Sequence, residues 1–143
     1  MLPSLNIDYD IYAEGEARLA WFDQELEIYS ANNNGLQHAE DLINNIYKKI
    51  NEHHYPIGHL KFLINRTIKI SFISNTEPPV TINAEPASSA ELLINLRVQT
   101  EPETITQLIA IVIKEVEMQS GCKIVVTSLS AFKPGYPRPA YRL

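Results

Sequence analysis

The first ordered pattern in the chain is an alternation. Ile11, Ala13, Gly15, Ala17 and Leu19 fall on one side, and Tyr12, Glu14, Glu16 and Arg18 on the other. A period of two marks a half-buried strand. The register breaks around Trp21–Gln24 and resumes at Leu26 and Ile28, which predicts a hairpin or a bulge there. Asn32-Asn33-Asn34-Gly35 reads as a loop. The period then lengthens. Leu42, Ile43, Ile46, Tyr47 and Ile50 form one stripe of a helix expected from about His38 to His54. Glu40 and Asp41 would occupy its first turn and Lys48 and Lys49 would lie nearer its end, as the helix dipole favours. Tyr55-Pro56-Ile57-Gly58 stops it.

Two strands are expected over His59–Ile64 and Ile68–Ser74, joined as a hairpin by Asn65-Arg66-Thr67. Residues 76–90, with Pro78, Pro79 and Pro86, read as a long exposed loop. A further strand spans Leu92–Thr100. Thr100-Glu101-Pro102-Glu103 offers a capping box to a second helix, whose stripe is Ile105, Leu108, Ile109, Val112 and Val116. Gly121 ends that helix, and Lys123–Ala131 is a last strand. The order strand, helix, three strands, helix, strand predicts an α+β, ferredoxin-like split β-α-β sandwich. It has an antiparallel sheet of about five strands and two helices on one face. We divide the chain into an irregular lead-in (1–10), one domain (11–132) and a proline-rich tail (133–143).

Helices on one face leave the other open. Parity points His59, Lys61, Lys69, Ser71, Asn95, Arg97 and Gln99 to that open face, together with Glu14, Glu16 and Arg18 of the first strand. Two readings compete. The charges form cross-strand pairs on a solvated sheet, or they make a polar docking surface. The tail bears on the choice. Pro134, Pro137 and Pro139 keep it extended, and Phe132, Tyr136 and Tyr141 offer apolar cover. Lys133, Arg138 and Arg142 form a basic cluster able to pair with Glu14 and Glu16, or to act as a short recognition peptide.

Composition narrows the classes. The chain has 143 residues, 45% of them apolar, and a net charge of −5. A core can form without metal or disulfide. The acidic balance argues against nucleic acid and anionic lipid. The single cysteine, Cys122, builds neither a disulfide nor a cysteine zinc site. The first residues lack a signal-peptide pattern, and the longest apolar run, Leu108–Ile113, is too short to span a bilayer. A cytoplasmic protein is expected. His53 and His54 are adjacent, not spaced for one helix face, and His38 and His59 lie at or beyond the helix ends, so no metal or other cofactor is expected. No G-x-S-x-G elbow occurs, and no catalytic residue is assigned. Glu14 and Glu16 share a strand face, but sequence reveals no pocket for acid–base work.

A set of short motifs occurs in fixed order. Gly58-His59-Leu60-Lys61 is followed by Asn95-Leu96-Arg97-Val98, then by Pro102-Glu103 opening a helix. Last comes Phe132-Lys133-Pro134-Gly135-Tyr136-Pro137-Arg138-Pro139-Ala140-Tyr141-Arg142. The pattern resembles the C-terminal domain of CobW-type GTPases, a metal-insertion and cobalamin-related family, from about residue 9 onward. Tyr12–Ala17 and Trp21 also look familial. In that family the domain usually follows a GTPase domain with a Walker-type loop and a cysteine-rich metal motif. This sequence contains no G-x-x-x-x-G-K-[ST]. Its tail has Ala140 and Tyr141 where the family tends to have threonine and histidine. The resemblance implies a non-catalytic binding or regulatory module. Its partner would be a second copy, with Lys61 and Arg97 against Glu14 and Glu16, or a separate GTPase. The rival expectation is a small-molecule or anion site, or a minor enzyme, built on His59, Lys61, Asn95 and Arg97.

Overall fold

The computed structural model describes residues 18–134. Strand β1 runs Ala20–Tyr29 without interruption. Ala20, Phe22, Gln24, Leu26 and Ile28 point inward and are buried. The expected break around Trp21–Gln24 is therefore absent. Gln24 is a polar residue at an inward position, so the apolar phase falters in sequence but not in space. The bulge lies on a partner instead. Strand β5, Lys123–Phe132, pairs with β1, and its register shifts opposite Glu25 and Leu26. Thr127 is the extra residue, and its hydroxyl donates to the Glu25 carbonyl at 3.1 Å. The alternation proposed for residues 11–17 lies outside the described residues.

The remaining strands are β2 (Ile57–Ile64), β3 (Ile68–Phe72) and β4 (Ser89–Val98). All pairings are antiparallel, in the order β3-β2-β4-β1-β5. Without β3, the order β2-β4-β1-β5 is that of the expected split β-α-β sheet. Asn65, Arg66 and Thr67 connect β2 to β3; Asn65 and Arg66, with φ of 51° and 60°, are the left-handed centre of a turn closed by Thr67 N donating to the Ile64 carbonyl at 3.0 Å.

Helix α1 covers Gly35–Glu52. It begins three residues before His38 and ends two before His54, so Glu40 and Asp41 sit beyond its first turn. Helix α2 covers Pro102–Ser120. Its N-cap is Glu101, with no side-chain capping bond. The Thr100 capping box is not formed, because Thr100 lies one residue outside the cap and bonds back to the Val98 carbonyl at 2.9 Å. Gly121 ends α2 at φ 77°, donating to the Glu117 carbonyl at 2.8 Å. Both helices pack on one face of the sheet. Their stripes meet the inward residues of the strands in one core, with Phe22, Leu26, Ile43, Ile46, Leu96 and Ile109 fully enclosed. Tyr47 stacks on Phe72 within it, ring centroids 3.9 Å apart.

The segment between β3 and β4 is the long, mostly exposed loop expected, but it is tied down on its inner side. It runs back along α1 as a strap. Tyr47 Oη donates to the Ser74 carbonyl and accepts from Glu77 N. The Asn44 amide makes two bonds of 2.9 Å with the backbone of Val80. Glu40 accepts from Ile82 N, and Asn33 and Gly35 pair with Ala87. Helix side chains thus supply the partners that a neighbouring strand would otherwise give. Among the described residues, no helix is long and apolar enough to cross a membrane.

Candidate functional site

Pairing across four strands assembles the open face in rows. At one end, His59, Arg97, Trp21 and Phe132 stand side by side on β2, β4, β1 and β5. The Arg97 guanidinium lies 3.9 Å above the Trp21 ring, a contact of about 0.5–2 kcal/mol depending on desolvation. Trp21 in turn meets Phe132, with centroids 5.6 Å apart. Phe132 is therefore a sheet residue and not part of the tail.

The next row holds Ser71, Lys61, Asn95, Asp23 and Ser130. Asn95 Nδ2 donates to Asp23 Oδ1. Asn95 Oδ1 must then accept, so His59 Nε2 is the donor in their 2.6 Å bond. A chain of side chains thus spans β2, β4 and β1. The third row is Lys69, Leu63, Leu93, Glu25 and Ser128.

Rows two and three enclose a trough of about 770 Å³. Leu63 and Leu93 line its centre. Lys61 and Lys69 stand on one bank, on β2 and β3, and Asp23 and Glu25 on the other, on β1. The trough is apolar along its floor and oppositely charged across its width.

The four sheet residues expected from sequence, His59, Lys61, Asn95 and Arg97, do share this face. They do not form the anion cluster envisaged for the rival reading. Asn95 is engaged between His59 and Asp23, Arg97 is stacked on Trp21, and the Asp23 carboxylate lies among them. Of the tail, Lys133 forms an ion pair with Glu101 at 2.8 Å and Pro134 is exposed. Glu14, Glu16, Tyr136, Pro137, Pro139, Tyr141 and Arg142 lie outside the described residues. Sequence reasoning missed Trp21, Asp23, Glu25, Leu63 and Leu93. Carrying the β1 alternation through Gln24 would have found the first three.

Two other clusters are structural in character. Ser30 and His38 are buried and lie 3.3 Å apart. Ser30 Oγ also accepts from Asn34 N, which ties down the start of α1. His53 stacks on Tyr55. Among the described residues, no three His, Cys, Asp or Glu side chains are grouped to hold a metal ion.

No family model matches the chain, and no curated protein matches it. A solved structure does share its fold. An aminobenzoyl-glutamate utilization protein from Klebsiella pneumoniae aligns over 88% of this chain at 13% identity, with a TM-score of 0.52. A protein described as an aminohydrolase, from methicillin-resistant Staphylococcus aureus, aligns over 83% at 12% identity with a TM-score of 0.46, too low to support a shared fold. The chain spans only 32% and 29% of those proteins. At 13% identity the likeness to the Klebsiella protein concerns the fold alone.

Proposed function

We propose that this chain is a non-catalytic docking module whose open sheet face receives a polypeptide partner. The observation that carries the reading is the trough: an apolar floor between a lysine bank and a carboxylate bank. Such a surface suits a segment of mixed charge. Apolar side chains fill the floor, and the charges fix direction and register. An inorganic anion would gain from Lys61 and Lys69 but would face Asp23 and Glu25 across the same trough. The resemblance to the C-terminal domain of CobW-type GTPases nominates the partner, a GTPase domain carried on a separate chain. A role in metal or cobalamin homeostasis follows from the same resemblance.

The test is a titration of the isotope-labelled chain with a purified CobW-type GTPase domain, followed by NMR. Perturbed amides should map to the open face of β1 to β4. Lys61→Glu combined with Lys69→Glu should weaken binding about tenfold, since each rim pair contributes about 0.5–1 kcal/mol and reversal adds repulsion. Perturbation confined to the helix side would overturn the reading. A rise in melting temperature with phosphate or nucleotide, abolished by the same substitutions, would transfer the site to a small ligand.

A further inference from the structure

The two edges of the sheet differ in kind. Strand β3 is five residues long, carries Lys69, and is followed by the strap. Short length and charge are usual ways of guarding an edge. Strand β5 is ten residues long, roughly 33 Å at strand rise. No described strand pairs with its outer edge. From Ile124 to Phe132 it holds nine consecutive uncharged residues. Four of the large exposed apolar residues lie on it: Val125 (37%), Val126 (43%), Leu129 (47%) and Phe132 (44%). The β1 register assigns Leu129 and Val126 to the helix-covered face, opposite Gln24 and Leu26. Yet α2 leaves them open. Glu117 of α2 reaches the start of the strand, accepting from Ile124 N at 2.8 Å.

We infer that the outer edge of β5 pairs antiparallel with β5 of a second copy, joining two five-stranded sheets into one of ten strands. The occupant follows from charge and symmetry. Each copy carries −5, so two copies approach most readily along an uncharged strip. A two-fold axis beside Leu129 sets Leu129 against Leu129 and Ser128 against Ser130. No like charges then oppose one another. The bulge at Thr127 confines a regular ladder to the second half of the strand, which is where that axis falls. Strand pairing alone buries less than the roughly 800 Å² per partner of a standard interface. The exposed Leu129, Val126 and α2 flank supply the remainder. This interface adjoins the docking trough at Ser128 but uses neither its lysine bank nor its carboxylate bank, and does not depend on it.

Sedimentation of the full chain from 1 to several hundred μM should show a concentration-dependent dimer. Alternate amides along β5 should be protected from exchange in the dimer. Leu129→Lys, at a half-exposed position that tolerates a charge, should raise the dimer dissociation constant at least tenfold while leaving the circular dichroism spectrum unchanged. Lys61→Glu with Lys69→Glu should leave the dimer intact. A chain that stays monomeric throughout overturns the inference. So does a dimer that survives Leu129→Lys, or one lost through the lysine substitutions, since either places the contact elsewhere. Should Leu129→Lys fail to fold, the exchange pattern decides, because β5 amides that exchange freely in a dimer exclude this pairing.

Discussion

Glu77 closes the start of the strap, beside the bonds that Tyr47 makes there. Its Oε2 accepts from Ile73 N at 2.6 Å, from Ser74 N at 2.8 Å and from the Ser74 hydroxyl at 3.3 Å. The backbone bonds, Ile73 first, hold its carboxyl below the ordinary value of 4.5. A carboxyl lowered in the folded state stabilises at every pH above its unfolded value. That contribution is lost as the pH falls through the folded value. Glu77→Gln should therefore lower the melting temperature at pH 7, with the gap to wild type closing below about pH 4.5 in an acid thermal series. A gap that persists unchanged into acid would mean the carboxylate charge is not what matters. Gly35 shows a different constraint. A Cβ there would lie 2.9 Å from the Ser89 carbonyl carbon and 3.0 Å from the Ala87 oxygen. The Gly35 N–H bond to that same oxygen, 2.9 Å, fixes the approach. Gly35→Ala should cost about 1–3 kcal/mol by overpacking, read as a lower urea midpoint at unchanged slope.

At the scale of elements, the strap and α1 behave as one unit. Asn44 presents a donor and an acceptor to the two backbone groups of Val80, while Val80 and Ile82 pack against the core. Asn44→Ala would leave that backbone without its protein partners, at a cost of about 1–3 kcal/mol. Hydrogen exchange should quicken across residues 76–87, while the amides of β1 and β4, in the sheet centre, keep their protection. Equal loosening of both would mean that the strap is integral to the whole fold and not merely tied to α1. The predicted elements were legible wherever an apolar period is sustained. The stripe of α1 from Leu42 to Ile50 is buried as expected. The strap was not legible, because its bonds come from side chains 30–42 residues away, and no local period records such partners.

For the whole molecule, the trough lies on the face of the sheet and the outer edge of β5, unpaired among the described residues, at its side. Both surfaces can be occupied at once. A dimer joined through β5 should thus bind two partner domains, and light scattering of the saturated complex should give a 2:2 mass. A 2:1 mass would mean that the second copy blocks one trough. The candidate site was half legible. Parity found His59, Lys61, Asn95 and Arg97 on one face, because parity is local. It could not show that Asp23 stands opposite Asn95, since that depends on which strands become neighbours.

The alternation and stripes in the sequence determined the element order, the inward side of β2, β3, β4 and both helices, and the α+β class. These follow from the burial of apolar side chains at periods of two and 3.6. Tertiary structure decided what those elements meet. It set β1 between β4 and β5, which gave the trough its acidic bank and turned Arg97 onto Trp21. It also left β5 at a sheet edge with no described strand beside it, while β3 took the edge that is followed by the strap. Strand neighbours are chosen by the packing of the complete sheet against both helices, an energy shared among residues far apart in the chain.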